Sequence, residues 1–205
     1  MRRVILIVAA VVLALLVASQ LLLPPIAASQ IEHRLTKQGG HADVSVSAFP
    51  ALRLLAHHGD RISITGDGLH VDLDTGRQKV FQNLDGFGQV HIRLTNVSAG
   101  PFVTQAFSLD RSTGTHTYAL SLSGSFTPTE IASYLGSRVA GGLGGLFGGL
   151  AGGFMGGSQP VPVQVSAQVE SNGGDPRVVS GAGSVAGVPM GPLLEVIVAG
   201  VVGRL

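Results

Sequence analysis

The sequence predicts an α+β fold in which an antiparallel β-sheet packs against amphipathic helices, preceded by an N-terminal transmembrane or signal helix. Three observations support this fold class. The chain begins with a long apolar run, continues with a short segment of helical period, and then alternates apolar and polar residues with a period of two. Its 205 residues suit one domain with a substantial core. We therefore predict a membrane or signal segment over residues 1–25 and one extracytoplasmic domain over residues 26–205.

The composition excludes several classes of protein. Only 12% of the residues are charged and the mean hydropathy is +0.42, so the chain is not an intrinsically disordered polyelectrolyte. Its 13 basic and 12 acidic residues leave no excess of positive charge for nucleic acid. The absence of cysteine rules out disulfides, thiol nucleophiles and Cys-based zinc sites.

The N-terminal segment has the length and polarity of a membrane span. Eighteen of the twenty residues in 4–23 are apolar, and as a helix they would extend roughly 30 Å, the thickness of the hydrocarbon core. Arg2 and Arg3 precede this run, which places the N-terminus in the cytoplasm and the rest of the chain outside. Ala27, Ala28 and Ser29 offer an alternative, a signal-peptide cleavage site that would give a secreted or periplasmic protein. Both alternatives place the domain outside the cytoplasm.

The remaining elements follow from periodicity. After Pro24-Pro25, residues 26–37 form a short amphipathic helix, which Gly39-Gly40 ends. Half-buried strands follow wherever apolar residues alternate with polar ones. Their apolar positions are Val44, Val46, Ile62, Ile64, Leu69, Val71, Leu73, Val90, Ile92, Leu94, Phe107, Leu109, Tyr118, Leu120, Leu122, Val161, Val163, Val165, Ala167 and Val169. Together they predict a sheet with one apolar face and one face of Ser, Thr and His.

The C-terminal part predicts two more helices around a glycine-rich tract. A capping box with proline at the first helical position begins a helix at Thr127. Ten of the seventeen residues in 141–157 are glycine, and the rest are uncharged. Residues 178–185 form a last strand, and Pro192 opens a last apolar helix. A solvated linker would not contain Leu146, Phe147, Phe154 and Met155, so we predict that this tract is a membrane-contact loop, with a plain connector as the alternative.

No motif of catalysis or metal binding is present. The pair His57-His58 lacks the spacing of a zinc site, and no nucleophile elbow of the form G-x-S-x-G occurs. Asp72 and Asp74 are typical of a strand end beside a turn. The glycine-rich tract lacks the Lys-Ser/Thr of a phosphate-binding loop. We therefore predict no catalytic residue, no cofactor and no metal.

Two stretches resemble a known family. Residues 48–64, AFPALRLLAHHGDRISI, and residues 91–97, HIRLTNV, resemble segments of the LmeA-type phospholipid-binding proteins of the actinobacterial cell envelope. This resemblance covers roughly residues 26–126. It implies a fold similar to the tubular lipid-binding domains, a curved antiparallel β-sheet wrapped around amphipathic helices. It also implies membrane phospholipids as partners, including phosphatidylinositide-type lipids, and a link to the maturation of mannosylated envelope lipids.

The sequence therefore leaves two functions open. The first is a non-enzymatic, membrane-associated phospholipid-binding protein of the cell envelope. The acyl chains of the bound lipid would complete an apolar face that the protein fills incompletely. With no Trp and 8 Phe, few large side chains are available to fill such a space. The lining of that cavity would be Ile62, Ile64, Leu69, Val71, Leu73, Val90, Ile92, Leu94, Leu120 and Leu122. The alternative is a structural or partner-binding envelope protein with a fully packed sheet and no lipid. The sequence names no protein partner.

Overall fold

The computed structural model describes residues 2–71, 80–100, 102–128, 159–172 and 174–189, which form a mostly antiparallel, curved sheet with a few helices. This confirms the predicted α+β class. The helices are α1 (Arg2–Leu35) and α2 (Val80–Leu84), and a 3-10 turn spans Ala51–Ala56. The strands are β1 (His41–Ser47), β2 (Gly59–Asp67), β3 (His70–Val71), β4 (Phe87–Ala99), β5 (Phe102–Arg111), β6 (Thr117–Phe126), β7 (Val161–Asn172), β8 (Asp175–Val185) and β9 (Val188–Pro189).

The order of strands across the sheet departs from the prediction at one junction. The order is β1-β2-β4-β5-β6-β7-β8-β9, and β3 pairs with β4 beyond the end of β2. Both β2 and β3 run parallel to β4, so the prediction of a purely antiparallel sheet is wrong there. The cause is the connection between β2 and β4, which is long enough to include α2 and return the chain to the same end of the sheet. All other pairs are antiparallel among the described strands.

The first helix is longer than predicted. We expected Pro24-Pro25 to separate an N-terminal segment from a second helix, but α1 continues through both prolines. A proline inside a helix costs about 3 kcal/mol, so contacts on either side must offset the lost hydrogen bonds. After the prolines, Ile31 and Leu35 pack against the core. Before the prolines, the side chain of Gln20 contacts the backbone of Ala48 and of Ala51, where the 3-10 turn begins.

The predicted membrane span is not supported. Within the described part of the chain, no helix combines the length and the apolar character needed to cross a membrane.

Most of the other predicted elements are where the periodicity placed them. The alternating segments form β1, β2, β4, β5, β6 and β7, and residues 178–185 belong to β8. The segment predicted around Leu69 and Val71 forms only the two-residue strand β3. Helix α2 was not predicted because five residues are too few to display a helical period. Apart from Thr127 and Pro128, the two predicted later helices lie outside the described residues.

Candidate functional site: an apolar inner face

Rows of inward-facing residues cross the sheet from β1 to β8. Because paired strands align these residues side by side, each row contains one residue from each long strand. The middle row is Val44, Ile64, Ile92, Leu109, Leu120, Ala167 and Gly181. One neighbouring row is Val46, Ile62, Val90, Arg111, Tyr118, Val169 and Val178, and the other is Ala42, Gly66, Leu94, Phe107, Leu122, Val165 and Gly183. The seven long strands therefore share one continuous apolar face.

The structure places most of the predicted lining residues on this face. Of the ten predicted residues, seven are buried in the apolar core and Leu122 packs against it while half-buried; the seven are Ile62, Ile64, Leu69, Val90, Ile92, Leu94 and Leu120. Val71 lies in β3, and Leu73 lies outside the described residues. The period-two pattern thus brings these residues together on one face, whereas their role as a lipid lining stays a prediction.

The size of the inward side chains changes across the sheet. On the β2 side the face is closely filled, since Leu69 Cδ1 lies 2.7 Å from the position that a Cβ on Gly66 would occupy. On β8 the middle row ends in Gly181, opposite Ala167 of β7. The row that contains Gly66 ends in Gly183, opposite Val165 of β7. These glycines contribute no side chain, so the inner face becomes shallower toward β8.

A polar network lies at one end of the inner face, where α2 meets the sheet. Arg111 is buried, the one charged residue in the buried set of the described chain. Its Nη1 donates to the Tyr118 hydroxyl at 2.8 Å, and that hydroxyl donates to Asp85 Oδ1 at 2.8 Å. Ser171 Oγ donates to Asp85 Oδ2 at 2.5 Å, which joins β7 to the same cluster. The guanidinium carbon also lies 4.8 Å from the centre of the Tyr118 ring.

The contacts of this network indicate a structural role, which is to hold α2 against the sheet. Arg111 Nη2 donates to the carbonyl oxygens of Leu84 at 3.1 Å and Asp85 at 3.4 Å, and it also contacts that of Phe87. These carbonyls end α2 and begin β4, so the guanidinium satisfies acceptors that the helix leaves unpaired. Burial, followed by the hydrogen bond to Asp85, raises the pKa of Tyr118 far above its usual range, which keeps the phenol neutral.

Arg111 was not predicted from the sequence, although the pattern of β5 contained a signal for it. Phe107, Leu109 and Arg111 are spaced two residues apart along β5 and therefore point to the same face. A charged residue at an inward position of an apolar strand needs buried partners, and that requirement predicts a polar cluster at that end. The partners come from α2, β6 and β7, so their identity depends on the tertiary fold.

The other described polar residues that the sequence singled out lie away from the inner face. His57 and His58 are exposed, and His58 Nδ1 hydrogen-bonds the carbonyl oxygen of Ala56 at 2.6 Å. His91 pairs with Asp110 at partly exposed positions across the neighbouring strands β4 and β5. The glycine-rich tract, with Leu146, Phe147, Phe154 and Met155, lies outside the described residues, as do Asp72 and Asp74.

The chain matches a model of a protein family over most of its length. No curated protein and no solved structure matches the chain. A family model described as LmeA-like phospholipid-binding matches residues 14–197, which is most of the sequence and includes every described strand. The chain belongs to the LmeA-like phospholipid-binding family.

Proposed function

We propose that this protein binds a phospholipid with the acyl chains against the apolar inner face. The observation that carries the proposal is the continuity of that face across seven strands, together with its loss of side-chain volume at Gly181 and Gly183. An acyl chain fits such a surface because it needs apolar contact and no specific hydrogen bond. Membership of a phospholipid-binding family supports the same ligand class.

We propose further that binding involves no catalysis. The inward residues of the described strands are almost entirely aliphatic or aromatic, and the donors of Arg111 that contact the network are directed at backbone carbonyls, Tyr118 and Asp85. Such a surface holds a lipid without presenting a nucleophile and a base to it. The resemblance to envelope proteins supports a phosphatidylinositide-type head group and a supporting role in the maturation of mannosylated envelope lipids.

The proposed location is the extracytoplasmic side of the cell membrane. Arg2 and Arg3 followed by the apolar residues 4–23 are typical of a segment that directs export. A C-terminal fusion to a reporter that is active only outside the cytoplasm tests this location. We expect activity from that fusion, and activity from a cytoplasm-specific reporter instead would contradict the proposal.

A second function follows if the sheet is fully packed. Leu69 over Gly66 and the Phe87 ring beside Gly59 fill the inner face closely on the β2 side. If the β8 side is filled equally well, the protein is a structural or partner-binding protein of the envelope, without a lipid.

Solvent extraction of the purified full-length protein followed by mass spectrometry distinguishes the two functions. We expect phospholipid in the extract, and less of it from Leu122→Trp, because Leu122 is only half-buried on the inner face and a larger ring there takes up space for an acyl chain. Ser121→Trp is the matched control, since its exposed side chain belongs to the opposite face of the same strand. Clean extracts from all three proteins, each with a native circular dichroism spectrum, would favour the packed alternative.

A further inference from the structure

The chain exposes a group of large apolar side chains at one end of the sheet. In the turn between β1 and β2, Phe49 is 77% exposed, Leu55 69% and Leu52 46%. On α1, Leu21 is 70% exposed and Leu22 59%. We call these five residues the apolar rim. Scattered exposed leucines are ordinary in proteins, but a cluster of this kind marks a surface that meets an apolar partner.

The turn holds its apolar side chains outward with a set of polar contacts. Asp60 Oδ2 accepts a hydrogen bond from the backbone N–H of Phe49 at 2.7 Å. Arg53 Nη1 donates to Asp60 Oδ1 at 3.1 Å and to the carbonyl oxygen of Phe49 at 3.3 Å. Ala51 is fully buried beneath the turn. These contacts hold the backbone of the turn on its buried side, which leaves the large apolar side chains of the turn exposed.

Helix α1 joins the turn to form one surface. With its amide oriented to suit both partners, Gln20 donates to the carbonyl oxygen of Ala48 at 3.1 Å and accepts from the N–H of Ala51 at 3.1 Å. Leu21 and Leu22 follow directly along the helix. Before them, residues 4–16 contain no charged or polar residue at all. The rim is therefore continuous in sequence with the most apolar segment of the chain.

The turn of the rim carries no unpaired acidic side chain among its described residues, which suits a lipid surface. Residues 49–58 contain Arg53, His57 and His58 but no acidic residue, and the nearest carboxylate, Asp60, is paired with Arg53. Both histidines are exposed. Apolar side chains that enter the acyl region beneath basic groups that meet phosphates are the arrangement of membrane-surface binding segments.

We infer that the apolar rim inserts into the surface of a phospholipid bilayer and so orients the molecule with this end of the sheet toward the membrane. Phe49 and Leu55 enter deepest because they are the most exposed residues of the turn, and Arg53, His57 and His58 lie at the level of the head groups. This contact concerns the bilayer surface. It does not depend on which lipid, if any, occupies the inner face.

The sequence contains no tryptophan, so a single introduced tryptophan reports on its own surroundings. The test uses the full-length protein with Phe49→Trp or Leu55→Trp, bound to phosphatidylglycerol and phosphatidylethanolamine vesicles with or without brominated acyl chains. Val103→Trp is the matched control, because Val103 is an apolar residue of β5 that is 49% exposed and pairs with Ser98 near the opposite end of β4. We expect a blue shift and strong quenching by the brominated lipid at both rim positions, and neither effect at Val103→Trp.

Three results would overturn the inference. The first is unquenched emission from both rim variants while the protein sediments with the vesicles. The second is equal quenching at Val103→Trp. The third is a blue shift of the rim variants that grows with protein concentration in the absence of vesicles, since that result would assign the rim to a second copy of the chain. Lipid extraction from the same variants reports on the inner face separately, so the failure of one proposal is distinguishable from the failure of the other.

Discussion

The side chain of Asp67, the last residue of β2, hydrogen-bonds the neighbouring strand β4. Its Oδ1 accepts hydrogen bonds from Thr95 Oγ1 at 2.6 Å and from Asn96 Nδ2 at 2.8 Å. These two bonds lower the pKa of Asp67 below the ordinary 3.8, since both favour the ionised carboxylate. A carboxyl group whose pKa is lower in the folded protein stabilises the fold above the pKa of the unfolded chain, and this contribution disappears as the pH falls through the folded pKa.

We therefore expect Asp67→Asn to lower the thermal unfolding midpoint at pH 7. The difference from the unmodified protein should shrink as the pH is lowered through 3.8 and below, because the native carboxylate is then protonated as well. Melting curves by circular dichroism between pH 7 and pH 3 measure this. Asp43→Asn, at an exposed position of the neighbouring β1, serves as the control. A difference that stays constant over this pH range would show that the charge of Asp67 is not what stabilises the junction.

Helix α2 is held against the sheet by its own buried side chains and by a buried arginine from another element. Arg111 on β5 bonds the carbonyl oxygens at the end of α2, and Phe81 of α2 packs edge to face on Tyr118 with ring centroids 4.8 Å apart. Removing one member of a buried charged network costs about 3–5 kcal/mol, because the remaining polar groups lose their partners. We expect Arg111→Met to lower the free energy of unfolding by that amount, measured by denaturant titration.

The control for Arg111 is Arg93→Met on β4, where the side chain is exposed. We expect that change to alter stability by less than about 0.5 kcal/mol, as is usual for surface substitutions. The tyrosine signal in near-ultraviolet circular dichroism, to which Tyr118 contributes as one of 2 tyrosines, should also weaken in Arg111→Met alone. Equal stability of the two variants would contradict the view that Arg111 fastens α2 to the sheet.

The elements that the sequence predicted well are those whose pattern is local. A strand with one buried face must alternate, so β1, β2, β4 and β7 were readable from period two alone. The parallel pairing of β2 with β4 was not readable, because it depends on how the intervening chain returns. The passage of α1 through Pro24-Pro25 was equally hidden, since the offsetting contacts of Ile31 and Leu35 come from distant residues.

The candidate site, like the fold, could be predicted from the sequence only in part. Alternation predicted which side chains share the inner face, and Ile64, Ile92 and Leu120 do lie in one row of the buried core. Alternation cannot indicate whether that face is filled by protein or by lipid, because both environments favour the same aliphatic residues. The apolar rim escaped prediction because Leu52 and Leu55 fit a buried turn as well as an exposed one.

The whole molecule combines a closely filled half, around Gly66 and Leu69, with a shallower half that ends at Gly181 and Gly183. If a phospholipid completes the shallower half, it is part of the hydrophobic core and its removal must weaken the fold. A ligand present at 100 times its dissociation constant stabilises the folded protein by about 2.7 kcal/mol. For a chain of this length, that corresponds to roughly 5–10 °C in the unfolding midpoint.

We therefore expect the purified protein to melt at a higher temperature than the same protein after delipidation in detergent, and added phospholipid to restore the difference. Differential scanning calorimetry of the three samples provides the measurement, with lipid content verified in each. The Arg111→Met variant should show the same lipid-dependent shift from a lower starting temperature, because its network lies at the end of the face where α2 packs and not beside Gly181 and Gly183. Identical midpoints in the presence and absence of lipid would mean that protein side chains alone complete the core, as the fully packed alternative requires.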